Sequence, residues 1–249
     1  MLATNQIIYP DSDGQPMADN TKQFRWITVI KSNLDWLFQD EELVFVAGDL
    51  LWYPVEGNPK YRVAPDAMIV FGRPNGDRGS YKQWEEDNIA PQVVFEILSP
   101  GNTEGEMERK LQIYARCEVE EYYVYDPDRY ILKGYQRGEE LFLDRIEVMD
   151  GWTSPRLGIS FDLSGEDLQI THPDGRIFET FDTVATERDL ILADKQQLEV
   201  ENRQLEMEKQ KLEAEKNKRD AKLRELGIDP DTLWSIHCWQ ICLRYIFAS

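Results

Sequence analysis

With 47 acidic against 28 basic residues in 249, the chain carries a formal net charge of −19. That balance argues against a broadly basic nucleic-acid coat protein and against tight nonspecific DNA binding. Three cysteines (Cys117, Cys238, Cys242) and two histidines (His172, His237) argue against a disulfide framework, a zinc site and a Ser-His-Asp triad.

The opening Met1-Leu2-Ala3-Thr4-Asn5-Gln6 lacks a basic stretch followed by an apolar core, and no apolar run is long enough to span a bilayer. The expected protein is therefore cytoplasmic and reduced, with no membrane partner.

Residues 1–20 hold Pro10-Asp11-Ser12-Asp13-Gly14 and read as an exposed lead-in. From Lys22 to Phe38, Trp26, Ile27, Ile30, Leu34 and Leu37 recur at helical spacing, with Asn20 or Thr21 as the cap. Strands are expected at Leu43–Val46, Asp49–Tyr53 and Val63–Phe71, separated by Gly48 and the turn Gly57-Asn58-Pro59. A glycine-rich charged loop, 72–80, precedes Gln92–Leu98, whose hydrophobicity on both faces predicts a central strand. Pro100-Gly101-Asn102-Thr103 breaks it and caps a helix from about Glu104 to Cys117. A strand follows at Glu121–Tyr125, then a hairpin of Ile131–Tyr135 and Glu140–Val148 turning at Gln136-Arg137-Gly138, then a short strand at Gly158–Leu163. Strands interrupted by one helix and closed by a hairpin predict an α+β fold with a mixed sheet, ending near residue 182.

Residues 183–227 differ in kind. Val184, Ile191, Leu198, Leu205 and Leu212 fall seven apart, without a proline or glycine between Val184 and Leu226. The companion heptad positions Arg188, Lys195, Asn202, Lys209 and Lys216 are polar, which weakens a coiled-coil seam. The expectation is a long charged helix that self-associates weakly or conditionally, a candidate coiled coil. Residues 228–249, with the aromatic stretch Trp234–Phe247, form a tail without a clear pattern.

Two acidic residues interrupt apolar strand sequence: Asp66 in Val63-Ala64-Pro65-Asp66-Ala67-Met68-Ile69-Val70, and Glu96 in Val93-Val94-Phe95-Glu96-Ile97-Leu98. An ionised carboxylate among buried neighbours is costly unless it is paired, and a divalent ion is one partner. Hard ions such as Mg²⁺ take one or two carboxylates plus waters and substrate phosphate. Asp66 and Glu96 are the candidate ligands, the Ile97 backbone carbonyl is a third, and Lys110 is the candidate to hold the attacking water or the developing phosphate charge. A Glu96–Lys110 or Glu96–Arg109 salt bridge is the plainer reading of the same residues. Asp49 is open between a further ligand and a turn residue. Tyr114 reads as core, Cys117 as a small buried helix residue, His172 as inert, and Arg73, Arg78 and Lys82 as a solvated loop, with contact to a nucleic-acid backbone as the alternative.

Pro65-Asp66, Val94-Phe95-Glu96-Ile97-Leu98-Ser99-Pro100, Glu108-Arg109-Lys110-Leu111-Gln112-Ile113-Tyr114 and Val119-Glu120-Glu121-Tyr122-Tyr123-Val124-Tyr125-Asp126-Pro127 occur in that order. Together they resemble the Uma-two family of endonucleases, common in cyanobacteria and built on the PD-(D/E)XK restriction-endonuclease-like fold. The resemblance covers roughly residues 20–180. It implies a Mg²⁺-dependent endonuclease, with Mn²⁺ as a substitute, acting on nucleic acid, in first place DNA. It maps the metal carboxylates onto Asp66 and Glu96. Leu98 stands where the superfamily motif has its lysine, and Lys110 on the following helix matches the displaced one. It further implies a restriction-endonuclease-like mixed sheet flanked by helices over 1–182, with a homodimer through the fold or the C-terminal helix as the expected self-partner. The competing reading is a catalytically inactive nuclease-fold binding or scaffold protein that works through that helix.

Overall fold

Helix α1 (Thr21–Leu37) starts where Asn20, extended in backbone, accepts the Gln23 N–H on its side chain. Trp26, Ile27, Ile30 and Leu34 recur every three to four residues and bury one stripe of it. The computed structural model describes residues 7–138 and 142–230.

Strands β1 (Val44–Ala47), β3 (Ala67–Phe71), β5 (Val93–Ile97), β6 (Glu121–Asp126), β7 (Ile131–Arg137) and β8 (Leu143–Arg145) form one sheet in that spatial order. Within this sheet β5 and β6 pair in parallel and its other neighbours antiparallel, and helix α2 (Glu104–Arg116) makes the crossover between β5 and β6. The result is an α+β fold with a mixed sheet flanked by helices, followed by a long C-terminal helix. Strands β2 (Trp52–Tyr53) and β4 (Tyr81–Lys82) form a small parallel pair, and β9 (Ser160–Asp162) and β10 (Gln169–Thr171) an antiparallel one.

The central strands are buried on both faces. Ala67, Ile69, Val93, Phe95, Tyr123 and Tyr125 belong to the core that holds α1, while Met68, Val70, Val94, Tyr122 and Val124 belong to the core that holds Ile113 and Tyr114 of α2. Alternation along each strand sorts side chains between these two cores.

Several elements are shorter than their patterns predict. The expected strand Asp49–Tyr53 contracts to β2 because Asp49 sits at φ 47°, with its N–H directed at the Pro65 and Asp66 carbonyls. The expected Val63–Phe71 contracts to β3, since Pro65 has no N–H for a ladder and Val63 keeps only a bridge to Trp52. Strand β7 runs on through Gln136 and Arg137, which pair with Asp144 and Leu143, so the turn lies beyond the predicted position. The loop 72–80 is anchored rather than solvated. Arg73 Nε donates to Glu86 at 2.8 Å, Arg78 Nε donates to the same carboxylate at 2.7 Å, and the Arg78 guanidinium lies 3.9 Å from the Phe45 ring centroid.

Two units divide the chain, Met1–Thr183 and Val184–Ser249. Helix α3 (Phe181–Glu225) has no buried residue and ends before Gly227 at φ 73°. The predicted aromatic segment Trp234–Phe247 lies outside the described residues. Among the described residues, no helix is long and apolar enough to cross a membrane.

Candidate active site

Strands β3 and β5 run antiparallel with Ala67 opposite Phe95 and Met68 opposite Val94. The same register, carried one residue past the start of β3, sets Asp66 opposite Glu96. Ladder pairing ends there, and the Asp66 carboxylate takes over: its Oδ2 accepts the Ile97 N–H at 2.6 Å. Glu96 shares a strand face with Val94, so it opens toward α2.

Helix α2 is placed by Thr103, whose hydroxyl accepts the Glu106 N–H at 3.2 Å, and its first turn carries Glu104 and Glu106. Lys110 and Tyr114 are one helical turn apart and meet the same carboxylate. Lys110 Nζ donates to Glu96 Oε2 at 2.8 Å, and the Tyr114 hydroxyl donates to Oε1 at 2.5 Å. Glu96 is 2% exposed and Tyr114 fully buried.

The two carboxylates share one ammonium. Burial, and next the negative charge of Glu96, push the Asp66 carboxyl well above the usual carboxylate range, against the opposing pull of the Ile97 N–H and Lys110. Burial pulls Lys110 down, but Glu96 and Asp66 together outweigh it and leave the ammonium more basic than usual. Burial and Glu96 also push the Tyr114 phenol up, which keeps it a proton donor. Asp49 is raised as well, by burial first and then by Asp13, and it feels both Lys110 and Glu96. Glu121 is a useful contrast. It is equally buried, yet it accepts from the Tyr123 hydroxyl at 2.9 Å, the Arg156 N–H at 2.8 Å and the Ser154 hydroxyl, so it is a satisfied structural carboxylate. Among the described residues, Asp66 has no such set of donors, accepting from the Ile97 N–H.

A family model, Uma2, described as "Putative restriction endonuclease", matches residues 14–171. The chain belongs to the Uma2 family, and with it to the PD-(D/E)XK nuclease-like superfamily. One matching solved structure is described as "a putative nuclease belonging to DUF820 from Anabaena variabilis ATCC 29413", at 16% identity and a TM-score of 0.43, covering 58% of this chain and 77% of that one. No curated protein matches.

Among the described residues, no three His, Cys, Asp or Glu side chains converge as a metal cage. Asp66 and Glu96 nonetheless have the donor chemistry that suits a hard divalent ion. Such ions settle for one or two carboxylates, and Asp66, raised first by burial and then by the negative charge of Glu96, lies beside a second carboxylate whose charge a cation would offset. Each oxygen of Glu96 has a second acceptor site beyond its bond to Lys110 or Tyr114. The Ile97 carbonyl accepts the Gln23 side-chain N–H at 2.8 Å and retains its second lone pair.

Gln23 was not legible as a site residue. It sits in the first turn of α1 among polar neighbours, and its burial comes from a partner 74 positions away. Its Oε1 also accepts the Asp19 N–H at 2.8 Å, tying the entry of α1 to the exit of β5. Tyr114 does more than pack, since its hydroxyl orients Glu96. A groove of about 640 Å³, lined in part by Leu98, Tyr122, Val124 and Lys133, opens beside the carboxylates rather than over them.

The raised Asp66 makes stability depend on pH. The folded protein holds a proton that the unfolded chain releases near the ordinary value of 3.8, so metal-free stability falls as pH rises from there through the folded value. Asp66→Asn is expected to remove that slope and to stabilise the metal-free protein at neutral pH by about 1 kcal/mol. Urea unfolding in chelator across about pH 4 to 9 checks it, and parallel slopes for the two proteins would refute it.

Proposed function

We propose that this Uma2 protein is a divalent-metal-dependent endonuclease that hydrolyses phosphodiester bonds of DNA, with Mg²⁺ as the ion and Mn²⁺ as a substitute. The observation that carries the reading is the pair of buried carboxylates, Glu96 on β5 and Asp66 just before the neighbouring β3, with the Lys110 ammonium bonded to Glu96. In this reading Asp66, Glu96 and the Ile97 carbonyl hold the ion. When bound, the ion supplies Lewis-acid polarisation of the phosphate and lowers the pKa of a water. Lys110 offers its remaining N–H donors to the attacking water or to a phosphate oxygen, where a fixed positive charge counts most as negative charge develops. Tyr114 is a positioning residue: its hydroxyl fixes Glu96 without reaching the substrate. Metal affinity is expected to rise with pH, because binding must displace the proton that burial leaves on Asp66.

The experiment is relaxation of supercoiled plasmid with Mg²⁺ or Mn²⁺, beside calorimetric titration of the ion itself. Nicking that stops in chelator is expected. A second reading, an inactive nuclease-fold scaffold, draws on the fact that Lys110 and Tyr114 already occupy both oxygens of Glu96. Folded protein that binds neither ion would favour it. Self-association as a homodimer, through the fold or through the C-terminal helix, belongs to either reading.

A further inference from the structure

Helix α3 carries Val184, Ile191, Leu198, Leu205 and Leu212 in one row, every one of them more than half exposed. Twenty-eight residues of helix make that row about 42 Å long. A stripe of this length, winding by about 20° per heptad round a helix with no buried residue, calls for a cover.

The flanks of the row identify the cover. Three residues after each apolar residue stand Glu187, Asp194, Glu201, Glu208 and Glu215. Four residues after each stand Arg188, Lys195, Asn202, Lys209 and Lys216. At about 100° per residue the first set lies roughly 60° to one side of the row and the second roughly 40° to the other. One edge of the seam is therefore wholly acidic and the opposite edge is basic apart from one asparagine.

Symmetry decides what such a surface can meet. In a parallel pair the two-fold axis runs along the helices, and it brings the acidic edge of one copy against the basic edge of the other on both sides of the seam. In an antiparallel pair the axis crosses the helices, and acidic edge meets acidic edge. We infer that this face of α3 binds a second copy of the same chain as a parallel, in-register, two-stranded coiled coil. The apolar row occupies the d positions, and the basic column occupies the a positions beside the second copy's acids. Asn202 falls at a central a position, where a polar residue favours one register. Glu199, Glu206 and Glu213 lie one step farther round on the basic side. Their surplus negative charge opposes the second copy's acidic edge and keeps the pair weak, so the association depends on concentration. The inference is independent of the chemistry at Asp66 and Glu96.

Cross-linking of the full chain tests it. Cys117, Cys238 and Cys242 are replaced by serine, and Ile191→Cys and Leu212→Cys are introduced singly. Under mild oxidation at about 100 µM chain, each variant is expected to form a disulfide-linked dimer with itself, and mixing the two is expected to give no 191–212 product. A product that forms only in the mixture means an antiparallel pair and overturns the inference. Absence of any product from a chain that sediments as a monomer overturns it too. In the parent chain, Leu198→Glu with Leu205→Glu is expected to weaken association at least about 100-fold while circular dichroism keeps its helical signal. Association unchanged by that pair of substitutions places the contact elsewhere and refutes the assignment.

Discussion

Glu96→Gln is expected to lower metal-dependent cleavage by about 1000-fold or more, because it removes one of two anionic ligands from the ion that would activate the water. The substitution keeps the side chain's length, and an amide oxygen still accepts the Tyr114 hydroxyl now directed at Oε1. The fold should survive, since Val93, Val94, Phe95 and Ile97 continue to bury β5 on both faces. The measurement is plasmid relaxation with Mg²⁺ for wild type and variant from one preparation route, beside a thermal melt of each. Equal cleavage by both proteins would remove Glu96 from the chemistry. Loss of cleavage with loss of the melt would count only as unfolding. The Asp66→Asn protein adds a second check: loss of cleavage there should come with a gain in metal-free stability. That opposite pair of effects marks a strained binding site rather than a structural salt bridge.

Local chemistry explains which features the sequence disclosed. Asp66 and Glu96 stood out because each breaks an apolar run, and burial of such runs is decided by the residues themselves. Asn20 and Thr103 could be read as caps because capping needs only a short side-chain oxygen before a helical pattern. The register that sets Asp66 opposite Glu96 could not be read, since it arises from pairing between segments about thirty positions apart. Gln23 shows the same limit from the other side: nothing in Thr21-Lys22-Gln23-Phe24 announces that one polar residue turns inward to the Ile97 carbonyl. Strands β4 and β10, of two and three residues, carry no periodicity to detect. The overlong prediction for Val63–Phe71 followed β propensity through Pro65, where backbone hydrogen bonding overrules side-chain preference. In α3 the sevenfold row was plain. Its charged edges carry information only once the helix geometry makes them edges.

Lys110→Met is expected to destabilise the metal-free protein by about 3–5 kcal/mol at neutral pH, the usual cost of orphaning one member of a buried ion pair. Glu96 is 2% exposed, and after the change the Tyr114 hydroxyl is its one remaining side-chain donor among the described residues. A methionine fills similar volume along the helix stem, so packing loss is a minor part. The ammonium's contribution is present throughout the neutral range, because a raised lysine loses its proton, and its stabilisation, only above the ordinary value of 10.5. The deficit should therefore hold from neutral to mildly alkaline pH. Lys195→Met, on the exposed helix α3, is the control and should change the stability of residues 1–183 by no more than about 0.5 kcal/mol. Excess Mg²⁺ should restore part of the Lys110→Met deficit if Asp66 and Glu96 hold the ion, since a cation can replace the missing ammonium electrostatically and ligand binding stabilises the folded state. It should not restore cleavage, because the ion cannot also supply the donors that Lys110 would offer to water and phosphate. Full recovery of cleavage would show Lys110 to be only the structural partner of Glu96.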